Sequence, residues 1–341
     1  MESLPYSPDL NRLQGIRPAI EKRAAILRAV RDFFHRHGFL EVDTPVRIRA
    51  PAPEEYIDAE PSGARFLRTS PELHMKRMLA AGYEKIFQIG PCFRAGERGD
   101  RHRPEFAMLE WYRAHADYSD ILLDTKAMIV SAARAVLNTT SLTYQGRAIE
   151  LVPVWEHLTV QEAFLRWARW DPLKKFDPDR FDEDLVTKVE PSLPRDVPTV
   201  LTDYPVERAA LSRPSAKDPR VAERWELYIG GLELANAYSE LTDATEQKKR
   251  FAHSRMLREL ENKPAYPEDD DFMKALEIGI PPSGGIALGL DRLIMLLTDS
   301  ATIDDVTAFE EYRICDRHPA RPCRLARQDA EGWIRVVTPL S

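Results

Sequence analysis

Apolar residues recur at helical spacing from Ile20 through Ile26, Leu27 and Val30 to Phe33 and Phe34. That periodicity predicts an amphipathic helix with Pro18 in its first turn, where a missing N–H is harmless, and Gly38 as its stop. Residues 39–45 then alternate as a strand and end at Pro45. A loop rich in Pro, Ala and Glu (50–64) leads to a short strand at 65–68, a helix at 71–81, and strands at 85–93 and 106–114. A long helix is expected over 119–137, capped by Ser119. Thr159 with Glu162 forms a capping-box pattern that opens another at 160–169. Five prolines (172, 178, 191, 194 and 198) make 171–198 a surface excursion with at most one short helix. Strands at 199–203, 224–230 and 232–241 follow, then a polar helix near 243–262 and a glycine-rich strand–helix unit at 284–298. Strands in the second half succeed one another without intervening helices. The expected fold class is therefore α+β, an antiparallel β-sheet flanked by helices. There is no internal repeat and no low-complexity tract.

Composition narrows the class. With 43% hydrophobic and 30% charged residues, the 341-residue chain belongs among folded globular proteins. No run approaches the roughly 20 apolar residues of a membrane span. The N-terminal MESLPYSPDL lacks the basic-then-apolar layout of a signal peptide, so a cytoplasmic location is expected. Cys92, Cys315 and Cys323 are too few and too scattered for a disulfide framework. The net charge of −7 gives no global attraction to nucleic acid. Residues 11–50 run the other way, with nine Arg or Lys against four acids, a local +5. A solvated helix face accounts for that; a docking surface for an acidic macromolecule is the sharper reading.

Three segments carry candidate chemistry. The first is the basic helix ending in Gly38-Phe39-Leu40-Glu41-Val42-Asp43-Thr44-Pro45. The second runs from Phe93-Arg94 to His102-Arg103-Pro104-Glu105-Phe106. The third is Gly285-Ile286-Ala287-Leu288-Gly289-Leu290-Asp291-Arg292. In this order they resemble the three signature motifs of class II aminoacyl-tRNA synthetases. The resemblance implies ATP and Mg²⁺ as cofactors and a carboxylate that attacks the α-phosphate. Two anions must then be brought together, which a guanidinium with its fixed charge and paired donors does. By resemblance Arg94 bridges the α-phosphate and the amino acid's carboxylate, Arg292 holds the γ-phosphate, and Phe106 lies against adenine. His102 belongs to the loop that closes over the nucleotide, and Glu226 and Glu233 are the metal-binding acids, hard oxygen donors suited to Mg²⁺. Positioning and charge neutralisation then supply the catalysis, with no side-chain nucleophile. One departure stands out: where the family has an acid two residues after the motif 2 arginine, this chain has Gly96. Glu97 takes its place if the loop bends at Gly96 and Gly99. Taken singly, each of these residues reads as an ordinary surface charge; the joint, ordered pattern carries the functional reading.

Ser70-Pro71-Glu72-Leu73-His74-Met75-Lys76-Arg77, Glu105-Phe106-Ala107-Met108-Leu109-Glu110-Trp111-Tyr112 and Asn236-Ala237-Tyr238-Ser239-Glu240-Leu241 look like lysyl-tRNA synthetase. A compact ammonium needs carboxylates in a confined pocket. The similarity assigns Glu240 and Tyr112 to the ε-ammonium and Glu72 to the amino group near the carboxylate. Glu110 and Asn236 complete the pocket, and Tyr238 lies along the aliphatic stem. Tyr112 and Tyr238 also read as core aromatics whose polar ends need partners.

Motif 1 starts within the first 40 residues, which leaves no room ahead of it for an anticodon-binding barrel of about 100 residues. The expected organisation is one catalytic domain over 1–310, no anticodon-binding domain, and a C-terminal extension, 311–341, to which no role is assigned. That architecture resembles the elongation factor P–(R)-β-lysine ligase family. So do Met108-Leu109-Glu110-Trp111-Tyr112-Arg113, Ser70, and Ala287 where lysyl-tRNA synthetases have glycine. The resemblance implies activation of lysine, preferably (R)-β-lysine, as an aminoacyl-adenylate. Transfer then goes to a lysine ε-amine of elongation factor P rather than to tRNA, by a homodimer built on motif 1. The extra methyl of Ala287 reshapes the pocket near the substrate's α-carbon, a change worth about 1–3 kcal/mol. Elongation factor P, an acidic partner, would meet the local +5. Two other readings stay open: a stand-alone lysyl ligase acting on tRNA or another carrier, and a catalytically dead paralogue that senses amino acids. Intact Arg94, Glu226, Glu233 and Arg292 weigh against the sensor; Gly96 is the one feature in its favour. Cys315, His318 and Cys323 match no standard metal-ligand spacing and read as unliganded.

Overall fold

The alternating segments pair into one eight-stranded sheet, seen in a computed structural model that describes residues 8–309 of the chain. From one edge to the other its strands are Leu40–Glu41, Lys85–Phe93, Glu105–Ala114, Ser283–Gly289, Leu232–Ser239, Val221–Ile229, Thr199–Pro205 and Glu156–Thr159. The six inner strands pair antiparallel, and only the two edge strands pair parallel with their neighbours. The fold is thus α+β, as the succession of strands predicts.

Period-two alternation gives the sheet two unlike faces. Leu109, Trp111, Ile286, Leu288, Ala235, Ala237 and Trp225 form the apolar one, buried against helices Arg17–Arg36, Tyr118–Leu137 and Leu290–Thr298. Arg17–Arg36 turns Ile26, Val30, Phe33 and Phe34 inward, Phe34 stacks on Phe87 at 4.7 Å, and Gly38 ends the helix with a φ of 77°. Each such side chain contributes about 1.5–3 kcal/mol on burial. The other face is mixed: Ile86, Tyr112 and Ala114 pack with helices Glu72–Ala80 and Asp270–Ile278, Leu201 and Tyr204 pack with Phe164 and Phe181, and polar residues between these two clusters hold the site described below.

Several boundaries differ from the sequence expectation. The cap of Tyr118–Leu137 is Asp117, not Ser119. The Asp117 carboxylate accepts from the backbone N–H groups of Ser119 and Asp120 at 2.8 and 3.2 Å, and Asp120 completes the box. The strand expected over 39–45 shrinks to Leu40–Glu41. Segment 171–198 is more ordered than its prolines predict: Pro178–Asp184 continues through Leu185–Val189 and Glu190–Ser192 as one winding run. Pro178 and Pro191 sit in first turns, where proline is tolerated, and Phe181, Val189 and Leu193 join Phe164 in a small core of their own. Helix Asp270–Ile278 and the hairpin of Ser141–Tyr144 with Arg147–Glu150 are too short to show a clear period in the sequence. Among the described residues no helix is long and apolar enough to cross a membrane. Cys315, His318 and Cys323 lie outside the described residues.

The basic N-terminal stretch is partly consumed within the fold. Arg12 donates to the carbonyls of Asp304, Thr307 and Ala308, Arg23 meets Asp291 at 2.5 Å, and Arg31 meets Glu41 at 2.8 Å. Lys22 and Arg28 remain exposed.

Candidate active site

Strand register builds the floor of the site. Glu110, Ala287, Asn236 and Glu226 face one another in a row across four adjacent strands, and Tyr112, Gly285, Tyr238 and Arg224 form the next. Helix Glu72–Ala80, the loop before it and the motif 2 turn wall a cavity that is open to solvent on one side. Of the residues assigned a site role from the sequence, all but Glu226 line this cavity.

One end is rich in guanidinium groups. Arg94 leaves the end of Lys85–Phe93, lies over the Phe106 ring at 5.2 Å and keeps a buried Nε without an acceptor. Gly96 takes a φ of 77°, which left-handed turns favour in glycine, and Glu97 follows it into the cavity, 3.8 Å from Arg94. Gly99 and His102 pair across the tip of the turn. Arg292, in the first turn of Leu290–Thr298, donates to the Glu233 carbonyl at 2.8 Å and reaches the Glu233 carboxylate at 3.4 Å. It also contacts His102 Nε2 at 2.6 Å. Burial, then Arg292 and Arg94, hold the His102 imidazole down at about 4, so near neutrality it is uncharged and accepts from Arg292. Asp291 anchors the assembly from behind, accepting from Arg23 and from the Ala107 amide at 2.7 Å. This end presents fixed positive charge to an anion.

The opposite end is acidic. Glu110 is buried and accepts from Ser70 Oγ at 2.7 Å and Tyr112 OH at 2.9 Å. Burial, reinforced by Glu72, pushes it up to about 8. Glu240 is also buried, and its Oε1 finds no donor. Lys76 Nζ stands between two of the acids, 2.5 Å from Glu72 and 2.5 Å from Glu240. Both carboxylates assigned to the substrate's amino groups are therefore already shared with a buried lysine of the chain itself. Asn236 donates to Tyr238 OH at 3.1 Å and accepts from Arg224 at 3.2 Å, which orders the side wall.

Glu226 ends the row begun by Glu110, outside the cavity lining. Tyr204 and Tyr228 donate to its Oε2 at 2.6 and 2.7 Å, and Arg224 meets its Oε1 at 2.6 Å. Among the described residues no three His, Cys, Asp or Glu side chains converge as a metal-holding group. Magnesium held mainly by phosphate oxygens needs only one or two carboxylates. Glu233 fits that role at the cavity wall, whereas Glu226 fits it only by giving up one of its three donors.

Sequence reasoning passed over Glu54, Lys76 and Arg224. Lys76 stands four residues after Glu72 on a helix, a spacing that signals a contact but not a buried one. Arg224 stands two residues from Glu226 on a strand, so both lie on one face. Glu54 sits in a loop and carried no signal.

Relatives agree with the geometry. Residues 8–313 match the family model described as tRNA synthetases class II (D, K and N). The chain is 36% identical over 335 residues to a lysine–tRNA ligase of Thermosynechococcus vestitus, covering 87% of this chain and 64% of that protein. It is 38% identical over 322 residues to that of Pelotomaculum thermopropionicum (86% and 63%). With that of Chromohalobacter salexigens it is 38% identical over 328 residues (87% and 64%). The chain thus spans a little under two thirds of the length of these relatives. Sheet order, the paired arginines and the matched span together place this chain in the class II tRNA synthetase family of the D, K and N type.

Proposed function

We propose that the chain activates lysine or its isomer (R)-β-lysine with ATP, forming an aminoacyl-adenylate and pyrophosphate. It then passes the aminoacyl group to a lysine ε-amine of elongation factor P. The observation that carries this reading is the two-ended cavity, with Arg94 and Arg292 at one end and Glu72, Glu110 and Glu240 at the other. A diamino acid lying along Tyr238 has its carboxylate near Arg94 and its far ammonium among the acids. Arg94 draws carboxylate and α-phosphate together, Arg292 holds the γ-phosphate, and Phe106 takes the adenine. Glu233 would hold Mg²⁺, which when bound neutralises phosphate charge. Carboxylate oxygen attacks the α-phosphorus, pyrophosphate leaves, and the acceptor amine later displaces AMP.

The preference for the β-isomer is supported by Ala287, which faces Glu110 across the strand pair, and by Ser70, bonded to the same carboxylate. A second reading, transfer to tRNA, is favoured by the lysine–tRNA ligase relatives. The deciding experiment offers purified elongation factor P and tRNA(Lys) side by side, each with lysine and (R)-β-lysine. Labelling of elongation factor P with β-lysine preferred is expected. Charging of tRNA alone sinks the acceptor proposal, and absence of lysine-dependent pyrophosphate exchange sinks the activation step.

A further inference from the structure

After helix Leu290–Thr298 the chain runs past the motif 2 turn as a short strap, residues 302–309. Ile303 and Val306 bury their side chains in the main core, and Ile303 also lines the cavity. The strap contains only one turn of 3₁₀ helix, Ile303–Val306, so the carbonyls that follow need donors from elsewhere. Arginines supply them. Arg12 donates to the carbonyls of Asp304 at 2.7 Å, Thr307 at 3.0 Å and Ala308 at 2.8 Å. Arg23 donates to the Val306 carbonyl at 3.1 Å, and Arg103 to that of Phe309 at 2.8 Å. Guanidinium groups from the N-terminal helices and from the motif 2 turn thus set the path of the strap.

The strap in its turn holds motif 2. The Ile303 amide donates to the Asp100 carbonyl at 2.7 Å, while Arg103 bonds to Thr307 Oγ1 and lies 3.6 Å from the Asp304 carboxylate. Between Asp100 and Arg103 stands His102, whose Nε2 meets Arg292 at 2.6 Å. Strap, motif 2 turn and the helix of Arg292 are therefore one hydrogen-bonded unit at the guanidinium-rich end. Arg12 clamps that unit without itself lining the cavity.

We propose that Arg12 is a positioning residue for the nucleotide end of the site: by fixing the strap it holds the motif 2 turn, and with it His102 and Arg292, in the arrangement that receives ATP. The assignment rests on the ATP-dependent reading above. Arg12 and Arg23, which the sequence counts toward a basic docking face, thus serve the site from within the fold.

The test compares the full chain with Arg12→Ala, Arg12→Lys and Thr307→Val, which removes the hydroxyl that Arg103 bonds. Arg17→Ala is the charge control, since Arg17 pairs with exposed Glu21 on the same basic stretch. ATP binding is measured by calorimetry, and KM for ATP and for lysine by pyrophosphate exchange. Arg12→Ala is expected to weaken ATP and raise its KM about fivefold to tenfold, less than the loss of a whole charged hydrogen bond, with KM for lysine unchanged. Arg12→Lys should recover part of that loss, Thr307→Val should shift ATP in the same direction, and Arg17→Ala should match the wild type. An equal rise in both KM values, or a lower melting temperature with ATP affinity unchanged, overturns the assignment. Should Arg12→Ala fail to fold, wild-type ATP affinity in both Arg12→Lys and Thr307→Val overturns it as well. A wild-type chain that binds ATP without lysine-dependent exchange overturns the activation reading, and the ATP affinities of the variants still decide the role of Arg12. A wild-type chain that does not bind ATP overturns both.

Discussion

Gly285 occupies the tightest point of the cavity's acidic end, and adding one methyl there reports directly on the packing. A Cβ at this position lands inside van der Waals contact with Glu240 Oε1 and with Tyr112 Cε1, and 2.5 Å from Tyr112 Cδ1. The strand has nowhere to retreat, because Gly285 is paired with Tyr112 on one side and Tyr238 on the other. The Tyr112 ring is buried and its hydroxyl is bound to Glu110 at 2.9 Å, while Glu240 is tied to Lys76 at 2.5 Å. Gly285→Ala therefore overpacks a rigid cluster, which costs about 1–3 kcal/mol. The melting temperature is expected to fall by a few degrees. KM for lysine in pyrophosphate exchange should rise at least about tenfold while KM for ATP holds, since about 1.4 kcal/mol of displaced binding is a factor of ten. Gly15→Ala, with no atom within 4 Å of the added methyl, is the control. An unchanged melting temperature together with an unchanged KM for lysine refutes the packing argument.

Three further outcomes follow from the same geometry. Arg292→Ala removes the guanidinium that spans Glu233 and His102, and should slow exchange by about 10²–10³ while leaving lysine binding intact, checked by calorimetry without ATP. Lys76→Met leaves Glu72 and Glu240 facing each other without their shared cation and should destabilise the fold by about 3–5 kcal/mol in urea unfolding. Burial pushes Glu240 up to about 7 and Glu110 up to about 8, both above the ordinary carboxylate value of 4.5. Stability from that pair is complete below the ordinary value and is lost as pH rises through 7 to 8. The melting temperature without lysine should thus fall across that window, and KM for lysine should fall too, as the acids ionise; a KM that rises over the same window would contradict the sign.

The assigned residues that line this cavity were found in the sequence through their resemblance to the family's motifs, and such motifs survive because they are local. Phe106, Glu110, Tyr112, Asn236, Tyr238 and Arg292 lie on regular strands or at the start of a helix, and Arg94 directly follows a strand, so the motifs that hold them keep a fixed spacing. The succession of strands likewise foretold an antiparallel sheet. What tertiary structure alone decided is how each charge is neutralised. Glu226 and Glu233 are equivalent as sequence, seven residues apart around a hairpin, yet one is enclosed by Tyr204, Tyr228 and Arg224 and the other faces the cavity. Lys76 is one more helical lysine until two acids, one just past a distant strand, close on it. Glu54 sits in an aperiodic loop whose position depends on Arg258, some 200 residues away. Residue type and period act over a few neighbours and so determine which side chains can share a face. Burial and pairing of charge depend on contacts between remote segments, which exist only once the chain has folded.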